Sequence, residues 1–195
     1  MGLPARKVSK FTYADYVTWD DNERWEIING EAFNMTPAPA TVHQLTAGEI
    51  FGQIWSQLKG KQCRVFSAPF DVRLPLGDQK EEEVENIVQP DITVICEPGK
   101  LDKKGCLGTP DLVIEIVSPA TSRRDKMEKF FLYEHAGVPE YWLVYPEDKL
   151  VEVFTLGKDG RYGRPDIYSE KSTIKLKILP GLTVDLKAVF GVKVG

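Results

Sequence analysis

The chain has 195 residues, of which 42% are apolar and 28% charged, and a formal net charge of −4. That length suits one domain with a full core, here taken as residues 1–195, and the acidic balance argues against a broad nucleic-acid-coating surface while leaving room for a local basic groove. No apolar run approaches membrane-spanning length and the start MGLPARKVSKF lacks the apolar core of a signal peptide, so a cytoplasmic location with no membrane partner is expected. Cys63, Cys96 and Cys106 are odd in number, widely spaced and form no CxxC pair, and they read as reduced structural thiols.

In chain order, residues 1–10 read as a loose arm. Thr12 and Asp15 fit a capping box opening a short helix over FTYADYVTW, which DDNE ends. RWEIINGEAFNM then carries Asn29-Gly30, the strongest short hairpin signal. That turn sets Ile28 opposite Glu31 and Glu26 opposite Phe33, so Glu26, Ile28, Glu31, Phe33 and Met35 share one face. The two carboxylates form either a solvated hairpin face or part of a site.

TPAPAT closes the hairpin, and residues 41–58 follow as a helix. His43, Ala47, Ile50, Phe51, Ile54, Trp55 and Leu58 fall on one arc, with Thr46 among the polar residues opposite. His43 on that arc is either held by a backbone carbonyl or close to a carboxylate site. CRVFSAPFDVRLP, residues 63–75, reads as one strand, with Asp71 paired to an arginine or serving as a further acid. The loop from Leu76 to Asn86, with EEEVE, is expected to be mobile and solvated.

The organising stretch runs from Val88 to Lys129. VQPDITVIC and DLVIEIVSP are runs rich in β-branched residues, read as strands buried on both faces, and each carries one acid, Asp91 and Glu115. A buried ionised carboxylate costs several kcal/mol by order of magnitude unless compensated. A divalent cation shared by both is the simplest compensator; water or an arginine at the strand ends is the other. SPATSRRD opens a helix capped by Thr121 or Ser122. On a wheel with Lys126 at zero, Lys129 falls at about 300°, between Tyr133 at about 340° and Ala136 at about 280°. Both lysines thus lie inside an apolar arc, and either their stems snorkel or one ammonium reaches back to the acids. Glu140 to Tyr145 is a further strand, followed by a meander and a short helix from about Asp185.

WEIINGE, MTPAPATVHQ, FSAPFDVRL, VQPDITVI, PDLVIEIVSPATSRRDKMEKFFLYEHAGVPEYWLV and the trailing VEVFTL and GRY together resemble the PD-(D/E)xK, restriction-endonuclease-like superfamily. Within it they resemble the Uma-type family. The resemblance implies an α/β fold of the α+β type, with a mixed central β-sheet flanked by helices; the acid pairing and the helix arcs lead to the further expectation that the strands of Asp71, Asp91 and Glu115 are neighbours. The resemblance also implies Asp91 and Glu115 as metal-binding acids; on geometric grounds they are expected to hold Mg2+ (or Mn2+) with help from the backbone carbonyl of Ile116. The superfamily lysine normally lies two residues after the second acid, where this chain has Val117; Lys129 on the following helix fills the role best, with Lys126 as fallback. Glu26, Glu31, His43 and Asp71 are accessory positions of the pattern.

The residue types suit phosphodiester hydrolysis, because a hard cation lowers the pKa of its water and neutralises phosphate charge. Arg123 and Arg124 at the helix start, with Lys100, Lys103 and Lys104, offer a local groove for DNA. Cutting both strands of a duplex suggests a homodimer. The alternative reading is a nuclease fold without catalysis that binds nucleic acid or protein; a carboxylate-pair glycosidase fits less well, because a lysine facing the acids suits phosphate chemistry.

Overall fold

The computed structural model describes residues 10–19, 23–35 and 40–191. The expectations for residues 1–9, for the break at 20–22 and for most of the TPAPAT link fall outside them. The amide of Thr12 donates to the Asp15 carboxylate at 2.8 Å and opens helix α1 (Tyr13–Tyr16). Asn29 and Gly30 take φ of 53° and 80°. Those two positive values match the twist of a tight hairpin, and they set β1 (Trp25–Ile28) against β2 (Glu31–Asn34) with Glu26 opposite Phe33, as the sequence predicts.

Helix α2 spans Thr41–Leu58 and buries Ile50, Ile54 and Leu58. The predicted arc is wrong at two places. Trp55 is 49% exposed, with the Lys59 ammonium 3.9 Å over its ring, and Thr46 is buried instead.

Two predicted strands each divide in two. Residues 63–75 form β3 (Arg64–Ser67) and β4 (Val72–Arg73), while 88–96 yields β5 (Ile87–Val88) and β6 (Ile92–Ile95). Pro69 and Pro90 sit in the two breaks and have no N–H to give a ladder. β3 pairs with β6 and β4 with β5, so one long antiparallel pair bends from one sheet into another. The first sheet has the order β2-β1-β5-β4-β8-β7, completed by β7 (Leu101–Asp102) and β8 (Gly105–Leu107). The second has the order β12-β11-β10-β9-β6-β3, completed by β9 (Leu112–Ile116), β10 (Glu140–Tyr145), β11 (Leu150–Thr155) and β12 (Asp166–Ser169). It is mixed, because β9 and β10 run parallel. The expected adjacency holds for the strands, in the order β9-β6-β3 with β4 on β5, but Asp71 itself lies after the break, just before β4 of the first sheet.

β9 is buried along its length, and its side chains alternate between two cores. Leu112, Ile114 and Ile116 pack with Ile50 and Ile54 of α2, with the hairpin β13 (Thr173–Lys175) and β14 (Thr183–Asp185), and with helix α4 (Leu186–Gly191). Val113 packs on the opposite side with Tyr133 and Leu132 of α3 (Phe130–His135) and with Val72 and Val88 of the first sheet. Immediately before α3 the helix is wound as a π-helix over Arg124–Lys129.

The acidic loop is anchored at two points, although Asp78, Lys80, Glu82 and Glu83 stay exposed. Val84 is fully buried with Tyr13, Ile27 and Ile87, and the buried Arg73 pairs with Glu81 at 2.6 Å. The thiol reading is also corrected: Cys63 and Cys96 form a disulfide, and only Cys106 is a free, buried thiol. The pairing of Arg64 with Ile95 puts the two cysteines opposite each other at the next position of the ladder. No helix among the described residues is long and apolar enough to cross a membrane.

Candidate active site

The second sheet brings the two acids together by register. Ile92 pairs with Ile114, so the residue before one strand, Asp91, stands across from Glu115. Asp91 Oδ2 accepts the Ile116 N–H at 2.7 Å and lies 3.2 Å from His43 Nε2 at the start of α2. Glu115 shares the Val113 face of β9, toward α3 and the first sheet. Its Oε1 accepts from Lys129 Nζ at 2.9 Å and from the Tyr133 hydroxyl at 2.8 Å.

The first sheet supplies the other half of the site. Glu26, on β1, is fully buried, and its Oε1 lies 2.8 Å from Lys129 Nζ and accepts the Gln89 N–H at 2.8 Å. Asp125 is buried 3.9 Å from the same ammonium. One lysine thus ties together acids from both sheets and from its own helix. The cluster forms the floor of a pocket of about 420 Å³, whose walls include Arg24, His43, Asp91, Ile116 and Arg124.

Charge is not balanced here. Glu26, Glu115 and Asp125 surround a single fully buried cation; Arg124 stands farther off, 3.8 Å from Glu26 and partly exposed. Burial pushes the Glu115 carboxyl well above the usual carboxylate range, although Lys129 opposes the shift. Burial likewise pushes Asp125 up to about 6. For Lys129 burial acts to lower the pKa, but Glu115, Glu26 and Asp125 together outweigh it and hold the pKa above its ordinary value. The ammonium stays charged, and the acids carry the excess.

Among the described residues no three His, Cys, Asp or Glu side chains are disposed as a ready-made metal centre. The donors nevertheless suit a hard cation. Among the described residues Asp91 Oδ1 and Glu115 Oε2 have no hydrogen-bond partner, while the other oxygen of each is anchored. Glu26 Oε2 is buried and, among the described residues, accepts no hydrogen bond, with Arg124 Nη1 3.8 Å away. Carboxyl groups crowded round one lysine, some with oxygens that accept no hydrogen bond, are the hard oxygen donors that a divalent ion takes.

The remaining sequence candidates disperse. Glu31 is exposed beside the hairpin turn on the edge strand, whereas Glu26 on the same face is buried. Asp71 faces a neighbouring pocket, where its Oδ1 accepts from Gln89 at 2.8 Å and from the Tyr16 hydroxyl at 3.1 Å, and among the described residues it has no arginine partner. Lys126 is exposed, 4.6 Å over the Tyr145 ring. Arg124 lines the acid pocket over the Phe33 ring, and Arg123 is exposed one residue earlier. Lys103 and Lys104 sit on the β7–β8 hairpin of the first sheet, and Lys100 is tied to Glu97 and the Thr109 carbonyl. Asp125 and Tyr133 went unassigned in the sequence reading. Asp125 precedes Lys129 by four residues, a spacing that pairs side chains on one helix face.

This two-sheet core with its flanking helices has a restriction-endonuclease-like fold. A crystal structure from Anabaena variabilis, described as "a putative nuclease belonging to DUF820", shares the fold: TM-score 0.71 at 19% identity, over 93% of this chain and 98% of that one. The chain belongs to the Uma2 family, described as "putative restriction endonuclease", whose model matches residues 13–187. An uncharacterized protein of Synechocystis sp. is 22% identical over 160 residues, 80% of each chain.

Proposed function

We propose that this chain acts as a single nuclease domain, a metal-dependent endonuclease that hydrolyses phosphodiester bonds in DNA. Asp91, Glu115 and the backbone carbonyl of Ile116 would hold Mg2+ (or Mn2+). The carrying observation is the buried Lys129 ammonium, held by Glu26 and Glu115 on the floor of an open acid pocket. Bound there, the ion would supply a water of lowered pKa and neutralise charge at the phosphate.

The protein's own groups have distinct tasks. An ammonium has three donors; two of Lys129's are engaged by Glu26 and Glu115, and the third is available to the attacking water or to a phosphate oxygen. Glu26, itself fixed by the Gln89 N–H, positions that lysine. Tyr133 and Lys129 anchor one oxygen of Glu115, so the other is presented to the pocket. His43 and the Ile116 N–H do the same for Asp91. Arg124 and Arg123 stand at the pocket rim for a flanking phosphate, with Lys103 and Lys104 farther along the surface. Two copies related by a two-fold axis would cut both strands.

The test is plasmid cleavage in Mg2+ or Mn2+, against EDTA, for the wild type and Glu115→Gln. Nicking that needs the ion and is lost in the variant supports the assignment. Cleavage that persists in EDTA or in Glu115→Gln refutes it.

A further inference from the structure

Beside the acid pocket lies a second cavity of about 450 Å³, whose walls include Tyr16, Trp19, Trp25, Asp71 and Lys104. Trp19 stands edge-on to Trp25 with ring centroids 5.6 Å apart, and Tyr16 lies 5.7 Å from Trp19. The two cavities share Arg24 and Gln89. Gln89 connects them physically. Its backbone N–H holds Glu26 in the acid cluster, its side-chain Nε2 holds Asp71 Oδ1, and its Oε1 accepts Arg24 at 3.0 and 2.9 Å. Asp71 Oδ2 has no partner among the described residues. Cations follow the same course: Arg124 lines the acid pocket, Arg24 lines both, and Lys104 lines the aromatic one.

We infer that the aromatic pocket is a nucleobase subsite, taking an unstacked base that carries an exocyclic amine from the nucleotide next to the scissile phosphate. The inference rests on the phosphodiester reading for its placement. Aromatic side chains bind bases by their π-faces, and unstacked bases are read along their polar edges. Asp71 offers one fixed oxygen and one free acceptor. That acceptor suits the amino group of adenine, cytosine or guanine, whereas thymine and uracil have no exocyclic amine and flank their one N3–H with two carbonyls that a carboxylate repels. The cations on either side suit the phosphates flanking the base.

The test uses metal-free protein labelled with 15N at the indole nitrogens, titrated with adenosine, thymidine and, as a control ring, glucose. Adenosine should shift the Trp19 and Trp25 signals, leave Trp55 and Trp142 unmoved, and bind roughly tenfold tighter than thymidine. Asp71→Asn keeps an acceptor for Tyr16 and Gln89 but turns the free oxygen into a donor, so the order should reverse. Absence of any nucleoside-dependent shift at Trp19 and Trp25 in the wild type overturns the subsite even if the protein cleaves DNA, and a response to glucose alone does the same. Nucleoside shifts in a protein that cleaves no DNA would keep the base pocket and remove the scissile phosphate beside it. Equal affinity for adenosine and thymidine, unchanged in Asp71→Asn, overturns the assigned selectivity.

Discussion

Lys129→Met removes a buried cation that Glu26, Glu115 and Asp125 share. The ammonium makes two short contacts, 2.8 Å to Glu26 and 2.9 Å to Glu115, with Asp125 at 3.9 Å. Deleting one partner of a buried ion pair typically costs about 3–5 kcal/mol, because the other charge is left uncompensated. Against a typical total of about 5–15 kcal/mol, the variant should fold in the cold but unfold at much lower urea. The penalty should depend on pH. Glu115 and Asp125 already have raised carboxyl pKa values through burial, and losing Lys129 raises them further. Unfolded carboxylates titrate near about 4. As pH rises above that, the unfolded chain releases protons that the folded variant still holds, so folded stability falls; as pH drops from 8 to 5 it returns. Urea unfolding in EDTA, followed by tryptophan fluorescence at about pH 5 and pH 8, measures this. A penalty below about 1 kcal/mol, or one equal at both pH values, would refute the view that Lys129 neutralises the cluster.

Glu115→Gln should retain the fold and bind Mn2+ at least about tenfold more weakly by calorimetry, in line with loss of a charged ligand; unchanged affinity would move the metal elsewhere. Lys129→Met should keep Mn2+ binding but lose plasmid cleavage by roughly 10²-fold or more, while Lys126→Met, exposed on Tyr145, should lose little; equal losses in the two variants would count against Lys129. Asp125→Asn should gain stability over the wild type as pH rises from about 4 to above 6, by up to about 3 kcal/mol, because the folded Asp125 carboxyl sits at about 6; a melting-temperature difference flat across that range would sink the idea. Light scattering at micromolar concentration should report a dimer of the 22.0 kDa chain, and a monomer would remove the two-fold model.

Much of the site was legible because strand periodicity and the Asn-Gly turn are local. They place Glu26, and they put Asp91 and Glu115 in neighbouring buried strands. The helix wheel finds Lys129 on the inward face but brings Lys126 with it; the π-helical winding of Arg124–Lys129 is not an ideal 3.6-residue turn, and only Lys129 is buried. Asp125 was readable four residues before Lys129 and was missed. The partition into two sheets was not legible, since Pro69 and Pro90 mark breaks without saying where the chain goes next. That partition removes Asp71 from the acid pair. Glu31 illustrates another limit: sharing a face with Glu26 does not decide burial at the corner of an edge strand. The Cys63–Cys96 contact depends on β3–β6 register, which spacing in the sequence does not reveal.

The bend that carries one strand pair from the first sheet into the second also has a kinetic consequence. Glu26 arrives on one sheet and Glu115 on the other, and the lysine between them is far from Glu26 in sequence. Contacts so distant close late, after local hairpins and helices have formed. Until the sheets dock, the acids and the ammonium remain hydrated and separate. On dilution from urea, the indole of Trp142 in the second-sheet core should therefore recover its native fluorescence before Mn2+ affinity returns, and the capacity to bind the ion should be the last native property regained.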